Sequence, residues 1–265
     1  MKLAISGKGG VGKTTLASLL VQIYAQEGKT VLAIDANPDA NLALALGIPA
    51  DEAGRLVPIS EMKDLVAERT GASPGSFGGY FKLNPRVDDI PERFSLRLGN
   101  IRLLVTGTVK KSGSGCLCPE SALVKALVDH VILERSEIMI MDMEAGVEHL
   151  GRGTARAVDA FIIVVEPGLR SIQTARAIRP LAQELGVPHV FIAGSKTRND
   201  QDVRYIVNSL PDFVLLGCIH YYPEITHADR EGKSAFLSCP QAVGDAKRIK
   251  EGLEEWLRRQ SQTSP

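Results

Sequence analysis

Gly7-Lys8-Gly9-Gly10-Val11-Gly12-Lys13-Thr14 matches the pattern G-x-x-x-x-G-K-[ST] near the start of the chain. The apolar residues 2–6 before it read as a strand, and residues 13–26 after it carry apolar side chains at helical spacing. Residues 30–34 read as a second strand. A strand, a tight glycine loop, a helix and a strand in this order predict a βαβ unit, in which the two strands are parallel.

The glycine loop predicts a phosphate-binding site. Glycines let backbone N–H groups turn inward around phosphate oxygens, and the N-terminus of the helix that follows favours negative charge. Lys13 is expected to reach the β- and γ-phosphates, and the Thr14 hydroxyl to ligate Mg²⁺. Lys8 is not required by the pattern, and its simplest interpretation is an exposed, solvated lysine. The alternative for the whole stretch is a glycine-rich turn that binds no nucleotide.

Acidic residues follow two of the predicted strands. Asp142 ends the apolar run 138–141, and a carboxylate at the carboxyl end of a strand beside a phosphate loop is the expected partner of Mg²⁺ through a water molecule. Glu144-Ala145-Gly146 is then interpreted as a turn that senses the γ-phosphate, with His149 close by. Asp35-Ala36-Asn37-Pro38-Asp39 is interpreted as a switch loop that positions water and Mg²⁺. The alternatives are a strand-end acid without a role and ordinary turn chemistry.

Two thiols, in Cys116-Leu117-Cys118, follow a flexible stretch and precede a predicted helix. A helix N-terminus favours the thiolate form and metal binding, and two side chains at this spacing can converge on one soft metal ion. One pair supplies only two ligands, whereas structural Zn²⁺ sites take four. A symmetric dimer would bring four thiolates together on its two-fold axis. The alternatives are a redox pair and two structurally ordinary cysteines, the interpretation that we favour for Cys218 and Cys239.

The rest of the chain alternates apolar runs with amphipathic stretches, which predicts one doubly wound α/β domain with a mostly parallel sheet flanked by helices. The domain is expected to span residues 1–259, with a frayed tail at 260–265. Residues 94–98 and 101–105 flank Gly99-Asn100, which is a hairpin signal. The further predicted strands are 137–141, 160–165, 189–193 and 214–219, and the further predicted helices are 61–69, 121–134, 170–185, 199–209 and 241–258.

Composition limits the classes of function. Lys plus Arg and Asp plus Glu each total 31, so the formal net charge is zero, which argues against binding nucleic acid or an acidic membrane through overall charge. The hydrophobic fraction of 44% is sufficient for a sizeable core. No apolar run has the length of a membrane helix, and no signal-peptide pattern opens the chain. The expected location is therefore the cytoplasm, where the four cysteines would be reduced.

The segment Lys8–Thr15, together with Asp142 and Ala145-Gly146, resembles the deviant Walker A ATPases, which include the nitrogenase iron protein, MinD and ParA. Over nearly its whole length the chain is most similar to the CooC family of CO dehydrogenase maturation factors and its acetyl-CoA synthase counterpart, AcsF. The segments that carry this resemblance are 61–64, 84–87, 116–118, 141–150, 152–154, 157–159 and 166–167.

The resemblance implies an ATP-driven homodimer that binds Ni²⁺ through paired C-x-C motifs and serves the nickel site of CO dehydrogenase or acetyl-CoA synthase. Zn²⁺ is a second candidate, because thiolates accept it readily. Lys8 would then cross the dimer interface to the partner's nucleotide. The implied catalytic residues are Lys8, Lys13, Asp39 and Asp142. The implied nucleotide-binding residues, for ATP or ADP, are Gly7, Lys8, Gly9, Gly10, Val11, Gly12, Lys13, Thr14, Thr15, Asn37, Glu166 and Lys196. The implied metal ligands are Cys116 and Cys118 for Ni²⁺ or Zn²⁺, and Thr14 and Asp142 for Mg²⁺.

Two departures from the family pattern affect these expectations. Many relatives carry Asp where this chain has Asn37, and because an amide is a weak base, slow hydrolysis is expected with Asp39 or Asp142 positioning the water. Relatives also place Asn-Lys where this chain has Ser195-Lys196, which leaves the selection of adenine open.

Two other functions compete with nickel insertion. A positioning ATPase that acts on DNA or membrane would need a basic stripe or an amphipathic membrane helix, but acidic residues offset the basic ones within 246–259. An iron–sulfur reductase like the nitrogenase iron protein would use two well-separated cysteines in each subunit rather than a C-x-C motif. The sequence therefore favours nickel insertion, without nucleic acid or membrane as a partner.

Overall fold

The computed structural model describes residues 1–72, 80–107, 118–134, 137–144 and 158–263. Within these ranges the sequence forms eight strands of a single sheet. They are β1 (Lys2–Gly7), β2 (Val31–Ala36), β3 (Leu96–Leu98), β4 (Ile101–Val105), β5 (Ile138–Met143), β6 (Ala160–Val165), β7 (Val190–Thr197) and β8 (Val214–His220).

The strands lie in the order β3-β4-β2-β5-β1-β6-β7-β8. Each neighbouring pair is parallel except β3 and β4, which form the hairpin that Gly99-Asn100 predicts. Parallel strands need crossover connections, and here helices make most of them. The prediction of a doubly wound, mostly parallel sheet is confirmed.

The described helices include all of the predicted ones, with ends that differ by a few residues. Phe94 ends a short helix rather than opening a strand. The helices are α1 (Lys13–Gln26), α2 (Leu42–Ala45), α3 (Ala50–Ala53), α4 (Lys63–Thr70), α5 (Ile90–Phe94), α6 (Pro119–Glu134), α7 (Leu169–Glu184), α8 (Asp200–Ser209), α9 (Pro223–Arg230), α10 (Ala235–Ser238) and α11 (Pro240–Thr263), with a 3-10 turn at Ile59–Glu61.

Helix α11 is longer than the sequence predicts. It continues to Thr263, so residues 260–263 of the predicted frayed tail are helical. The helix packs on β8 and α1. Its apolar residues lie on one face, and in the part of the chain that the structure describes no helix is both long and apolar enough to cross a membrane.

Both faces of the sheet are buried. Leu3 and Ile5 belong to the core that contains the inner sides of α1 and α11, and Ala4 between them belongs to the core that contains α6 and α7. Successive side chains of a strand point to opposite faces, so a strand covered on both sides must be apolar throughout. This explains why the predicted strands are continuous apolar runs.

The register of the central strands brings acidic residues to one edge of the sheet. Asp142 near the end of β5 pairs with Ile5 of β1 on one side and with Asp35 of β2 on the other. The phosphate loop follows β1 directly. The carboxyl edge of the sheet, where open α/β folds bind ligands, therefore holds the predicted site.

Candidate nucleotide site

The loop between β1 and α1 has the backbone of a phosphate cradle. Gly7 and Gly12 have φ angles of 146° and 102°, which side chains rarely adopt. A Cβ atom on Gly7 would lie 2.5 Å from the Val164 carbonyl oxygen, and one on Gly12 would lie 2.9 Å from Ser195 Oγ. Glycine is therefore required at both positions by conformation, and at Gly7 also by the backbone that it approaches.

Lys13 is held close to this loop. Its side chain is largely buried, and its Nζ donates a hydrogen bond to the carbonyl oxygen of Lys8 at 3.2 Å. Burial lowers the pKa of Lys13, while the charges of Asp142 and Glu144 oppose that shift. The ammonium group thus lies over the loop, where a β- or γ-phosphate would provide a stronger partner than one carbonyl oxygen.

Thr14 and Asp142 meet beside Lys13. The Thr14 hydroxyl donates to Asp142 Oδ2 at 2.6 Å, while the buried Asp142 Oδ1 has no hydrogen-bond partner among the described residues. Burial, together with the charge of Asp35, raises the pKa of Asp142 to about 7. A hydroxyl and a carboxylate with an unpaired buried oxygen are the donor set that Mg²⁺ prefers, so the residues present fit this ion.

Asn37 links the acids of two neighbouring strands. Its Nδ2 donates to Asp35 Oδ1 and to the Asp142 carbonyl oxygen, each at 3.2 Å. Asp35 is fully buried and also accepts hydrogen bonds from the backbone N–H groups of Asn37 and Leu42. Asp39 lies exposed farther along the same turn. The amide of Asn37 is therefore occupied by structural contacts, and Asp39 is the acid of this turn that is open to solvent.

Lys8 is paired within its own chain. Its Nζ lies 3.1 Å from Glu166 Oε1, just beyond the end of β6. Lys196 approaches the other oxygen of Glu166 at 3.7 Å and donates to the Gly10 carbonyl oxygen at 2.6 Å. Glu166 and Lys196 thus both lie at the phosphate loop, where their contacts are with the loop and its lysine, and the nucleotide binding that the resemblance implies for them stays a prediction.

Nearly the whole chain matches one family of known proteins. A family model described as the CobQ/CobB/MinD/ParA nucleotide-binding domain matches residues 2–262. The chain belongs to this family. The assignment to the MinD/ParA ATPases is confirmed, while the phosphate-binding roles of individual residues stay predictions.

Individual relatives within the CobQ/CobB/MinD/ParA family are more specific. The chain is 48% identical over 255 residues to the carbon monoxide dehydrogenase accessory protein CooC of Rhodospirillum rubrum, covering 96% of this chain and 97% of that protein. It is 42% identical to an uncharacterised ATP-binding protein of Methanocaldococcus jannaschii, covering 91% and 93%. The resemblance to the CooC group is confirmed, and the chain is an ATPase.

Solved structures of the same family share the fold. The MinD protein in the MinC–MinD complex of Aquifex aeolicus has a TM-score of 0.65 at 20% identity, with 95% of this chain and 96% of that chain covered. MinD of Pyrococcus horikoshii, complexed with Mg-ADP, has a TM-score of 0.66 at 17% identity, with 96% of each covered. Both similarities confirm the doubly wound architecture.

A cavity beside the phosphate loop contains residues that the sequence analysis missed. A small cavity extends from Gly12 and Thr15 past Ser195 and Lys196 to His220 and the two tyrosines that follow. His220 and Tyr222 both hydrogen-bond Asp245 of α11, which is fully buried. The signal that could have revealed this cluster is the aspartate itself, since it lies on the apolar face of a helix otherwise formed by Ala242, Ala246, Ile249 and Leu253.

The thiol pair is described only in part. Cys116 lies outside the described residues, as do Ala145, Gly146 and His149. Cys118 is half-buried immediately before α6, with its Sγ 3.2 Å from Ser121 Oγ. Among the residues that the structure describes, no three His, Cys, Asp or Glu side chains come together as a metal site. Binding of Ni²⁺ or Zn²⁺ by the pair thus stays a prediction.

Proposed function

We propose that this ATPase is an accessory factor of CO dehydrogenase that binds Ni²⁺ at the interface of a homodimer and delivers it to the enzyme. The observation that carries the proposal is the 48% identity with the CO dehydrogenase accessory protein CooC, which covers nearly the whole of both chains, combined with the Cys116-Leu117-Cys118 motif. In this proposal Ni²⁺ is the cargo, and ATP hydrolysis drives its delivery. Acetyl-CoA synthase is the alternative client.

The segment that carries the thiols begins beside the nucleotide site. Strand β4 pairs with β2 up to Val105 opposite Asp35. The backbone N–H and the hydroxyl of Thr106 then both donate to the Asp35 carbonyl oxygen, at 2.9 and 3.2 Å. The chain thus enters this segment from the carboxyl edge of the sheet, one residue beyond a direct contact with the switch turn.

The same segment ends at a helix whose next strand carries Asp142 of the nucleotide site. Cys118 immediately precedes α6, and the Ala122 backbone N–H donates to the Cys118 carbonyl oxygen at 3.0 Å. Helix α6 leads into β5, which carries Asp142 near its end. A change at Asp35 or Asp142 on ATP binding can therefore reach the thiols through both flanks of the segment, which is the coupling that an insertion ATPase requires.

Dimer formation would require Lys8 to change its partner. In the single chain Lys8 is partnered by Glu166, so a lysine that acts on the partner's nucleotide must first leave this ion pair. Both side chains are partly exposed, and such pairs contribute little stability, about 0.2–1 kcal/mol. The phosphates of a bound ATP offer a stronger partner, and the two thiol pairs would share one Ni²⁺ across the same interface.

Within each chain, Thr14 and Asp142 would hold Mg²⁺. Once bound, this ion neutralises charge that develops on the β- and γ-phosphate oxygens. Lys13 binds the phosphates from the loop side. The Asn37 amide holds the Asp35 carboxylate and the Asp142 backbone together through its two hydrogen bonds. Asp39, the exposed acid of the turn, is the group available to orient the attacking water.

Metal stoichiometry tests the proposal. The purified protein should bind one Ni²⁺ per two chains, and Cys116→Ser or Cys118→Ser should abolish this binding without changing ATP affinity. Cys218→Ser is the matched control, because Cys218 lies in β8 away from α6. One tightly held ion per isolated monomer, or binding that survives both substitutions, would contradict the shared site.

The link to nucleotide and client needs a second measurement. Nickel titrations with ADP and with a non-hydrolysable ATP analogue should give different affinities, since binding free energies at coupled sites are reciprocal. Nickel-free CO dehydrogenase should then be activated by the nickel-loaded protein and ATP, but not by its Cys118→Ser variant. Equal nickel affinities in both nucleotide states would contradict the coupling between nucleotide and nickel binding. Activation of acetyl-CoA synthase alone would identify that enzyme, rather than CO dehydrogenase, as the client.

A further inference from the structure

A cleft at the carboxyl ends of β7 and β8 is connected to the phosphate loop by a smaller cavity. It has a volume of about 540 Å³ and is lined by Arg198, His220, Tyr222 and Asp245, among others. The smaller cavity that starts at Gly12 and Thr15 shares His220 and Tyr222 with it. The two cavities thus give a continuous path from the phosphate loop to His220, along which a nucleotide could extend from its phosphates to its base.

Ser195 does not supply selectivity at this end. Its side chain is nearly buried, and its Oγ lies only 2.9 Å from where a Cβ atom of Gly12 would be. A hydroxyl can both donate and accept, so it accommodates adenine and guanine alike, whereas an amide can pair with adenine at two points. The residue that distinguishes the bases must be sought among the other groups that line the cleft.

Asp245 gives His220 a fixed orientation. Its Oδ2 accepts hydrogen bonds from the backbone N–H of His220 and from the Tyr222 hydroxyl, both at 2.9 Å, and lies 2.9 Å from His220 Nδ1. Oδ1 is paired with the Arg248 guanidinium. Burial alone would raise the pKa of Asp245, but these hydrogen bonds outweigh it and lower the pKa below its usual value. The carboxylate is thus ionised and can only accept.

An acceptor at Nδ1 determines the tautomer of the imidazole. The proton lies on Nδ1, where it is donated to Asp245, and Nε2 of the neutral ring carries a lone pair. Among the described residues none hydrogen-bonds Nε2, and the His220 side chain is 44% exposed.

We propose that His220 selects adenine by accepting a hydrogen bond at Nε2 from its exocyclic amino group, and that Asp245 is the positioning residue that keeps this nitrogen an acceptor. Guanine presents a carbonyl oxygen at the equivalent position, so two acceptors would face each other. Unpaired polar groups at a desolvated contact cost more than a missing contact, which gives discrimination as well as affinity. The proposal rests on ATP binding and is independent of nickel.

The first test pairs a change in the protein with a change in the ligand. ATP and the triphosphate of purine riboside, which lacks the amino group, are titrated by calorimetry without nickel. The unsubstituted protein should prefer ATP about fivefold, as expected for one neutral hydrogen bond. His220→Phe should bind both equally, with its affinity for the analogue unchanged. His227→Phe is the matched control, because the side chain of this exposed histidine is paired with Glu231 and does not line the cleft, so this variant should keep the preference.

The second test removes the acceptor at Nδ1. In Asp245→Leu, a change of similar size, Nδ1 loses its carboxylate partner, so the imidazole proton is no longer held on Nδ1 and can move to Nε2, which makes that nitrogen a donor. The ratio of ATP to GTP affinity should then fall at least about tenfold, whereas a general loss of structure would weaken both nucleotides equally. Because the ratio is the readout, this variant also decides the matter should His220→Phe not fold. If either variant kept the preference for ATP that the unsubstituted protein shows, the proposal would be overturned, and backbone groups would be the ones that recognise the base.

Discussion

The phosphate end of the nucleotide cleft consists of one short loop and the acids at neighbouring strand ends, whereas the base end consists of side chains that are far apart in sequence. Asp142 and Asp35 are paired strand by strand, but His220 reaches Asp245 across the gap between β8 and α11. Phosphates are common to all nucleoside triphosphates, so the local motif binds them without regard to the base. Selection of the base depends on tertiary contacts, and the two ends should therefore respond differently to substitution.

Lys13→Ala should have the largest effect, and it should not depend on the base. Loss of the charge that binds the β- and γ-phosphates should weaken MgATP and MgGTP equally, on the order of 100-fold. Titration of both nucleotides by calorimetry checks this. Lys8→Ala serves as the control, since it should leave binding by the single chain within about twofold while impairing ATP-dependent dimerisation. Equal loss of affinity in the two variants would contradict the separate roles of the lysines.

Asp142 should make Mg²⁺ binding depend on pH near neutrality. Because its pKa is raised to about 7, a proton competes with the ion below that pH, and Mg²⁺ affinity should fall about tenfold per pH unit. Both ATP and GTP should show the same profile. Asp142→Asn should bind Mg²⁺ weakly at every pH and lose the slope. If Mg²⁺ affinity still depended on pH in this variant, another titrating group would be responsible for the dependence.

The same raised pKa has a consequence for stability. Between the ordinary value of 3.8 and about 7, the folded chain binds more protons at Asp142 than the unfolded chain does. The free protein should therefore lose stability as the pH rises through this range. Asp142→Asn should raise the melting temperature at pH 8 and leave it nearly unchanged at pH 5. Thermal unfolding without Mg²⁺ measures both.

Asn37→Asp should destabilise the free protein. The substitution would place a carboxylate oxygen where Nδ2 now donates to Asp35 Oδ1 and the Asp142 carbonyl oxygen, at a cost of about 1–3 kcal/mol. Mg²⁺ and nucleotide should restore part of this stability. Asn41→Asp, at an exposed position on the same turn, is the control. Faster ATP hydrolysis with no loss of stability would instead support the sequence argument that the amide limits turnover.

Glu166→Gln should have the smallest effect, and it should alter neither end of the cleft. It releases Lys8 from an ion pair at the surface, so ATP-dependent dimerisation should strengthen by up to about fivefold. Sedimentation in the presence of a non-hydrolysable analogue checks this, with ATP affinity of the monomer as the internal control. Weaker dimerisation would mean that Glu166 itself contributes to the interface.

The phosphate end could be predicted from the sequence because its physics is local. The loop, the helix N-terminus and the strand-end acid lie within single βα units, and apolar runs bounded by turns identify the strands. The sequence also indicated that Asn37 departs from the family pattern. It did not reveal that the amide spans Asp35 and Asp142, because that contact depends on the pairing of β2 with β5.

The base end could not be predicted in the same way. His220, Tyr222 and Asp245 carry no spacing that distinguishes them from core or surface residues, and their meeting depends on how α11 packs on β8. Short elements such as α9 and α10 were missed for a related reason, since a helix of one or two turns shows too few residues for a periodic pattern.

The position of β1 in the sheet affects how the protein is made. Leu3 pairs with Ile140 on one side and with Ala160 on the other, so both neighbours of the first strand are among the later strands to leave the ribosome. Pairings so distant in sequence form slowly, and an apolar strand without neighbours is prone to aggregate. The phosphate loop cannot acquire its shape until β6 has been synthesised. The nascent chain is thus unable to bind ATP through most of its translation, and the earliest part of the site in sequence is among the last to fold.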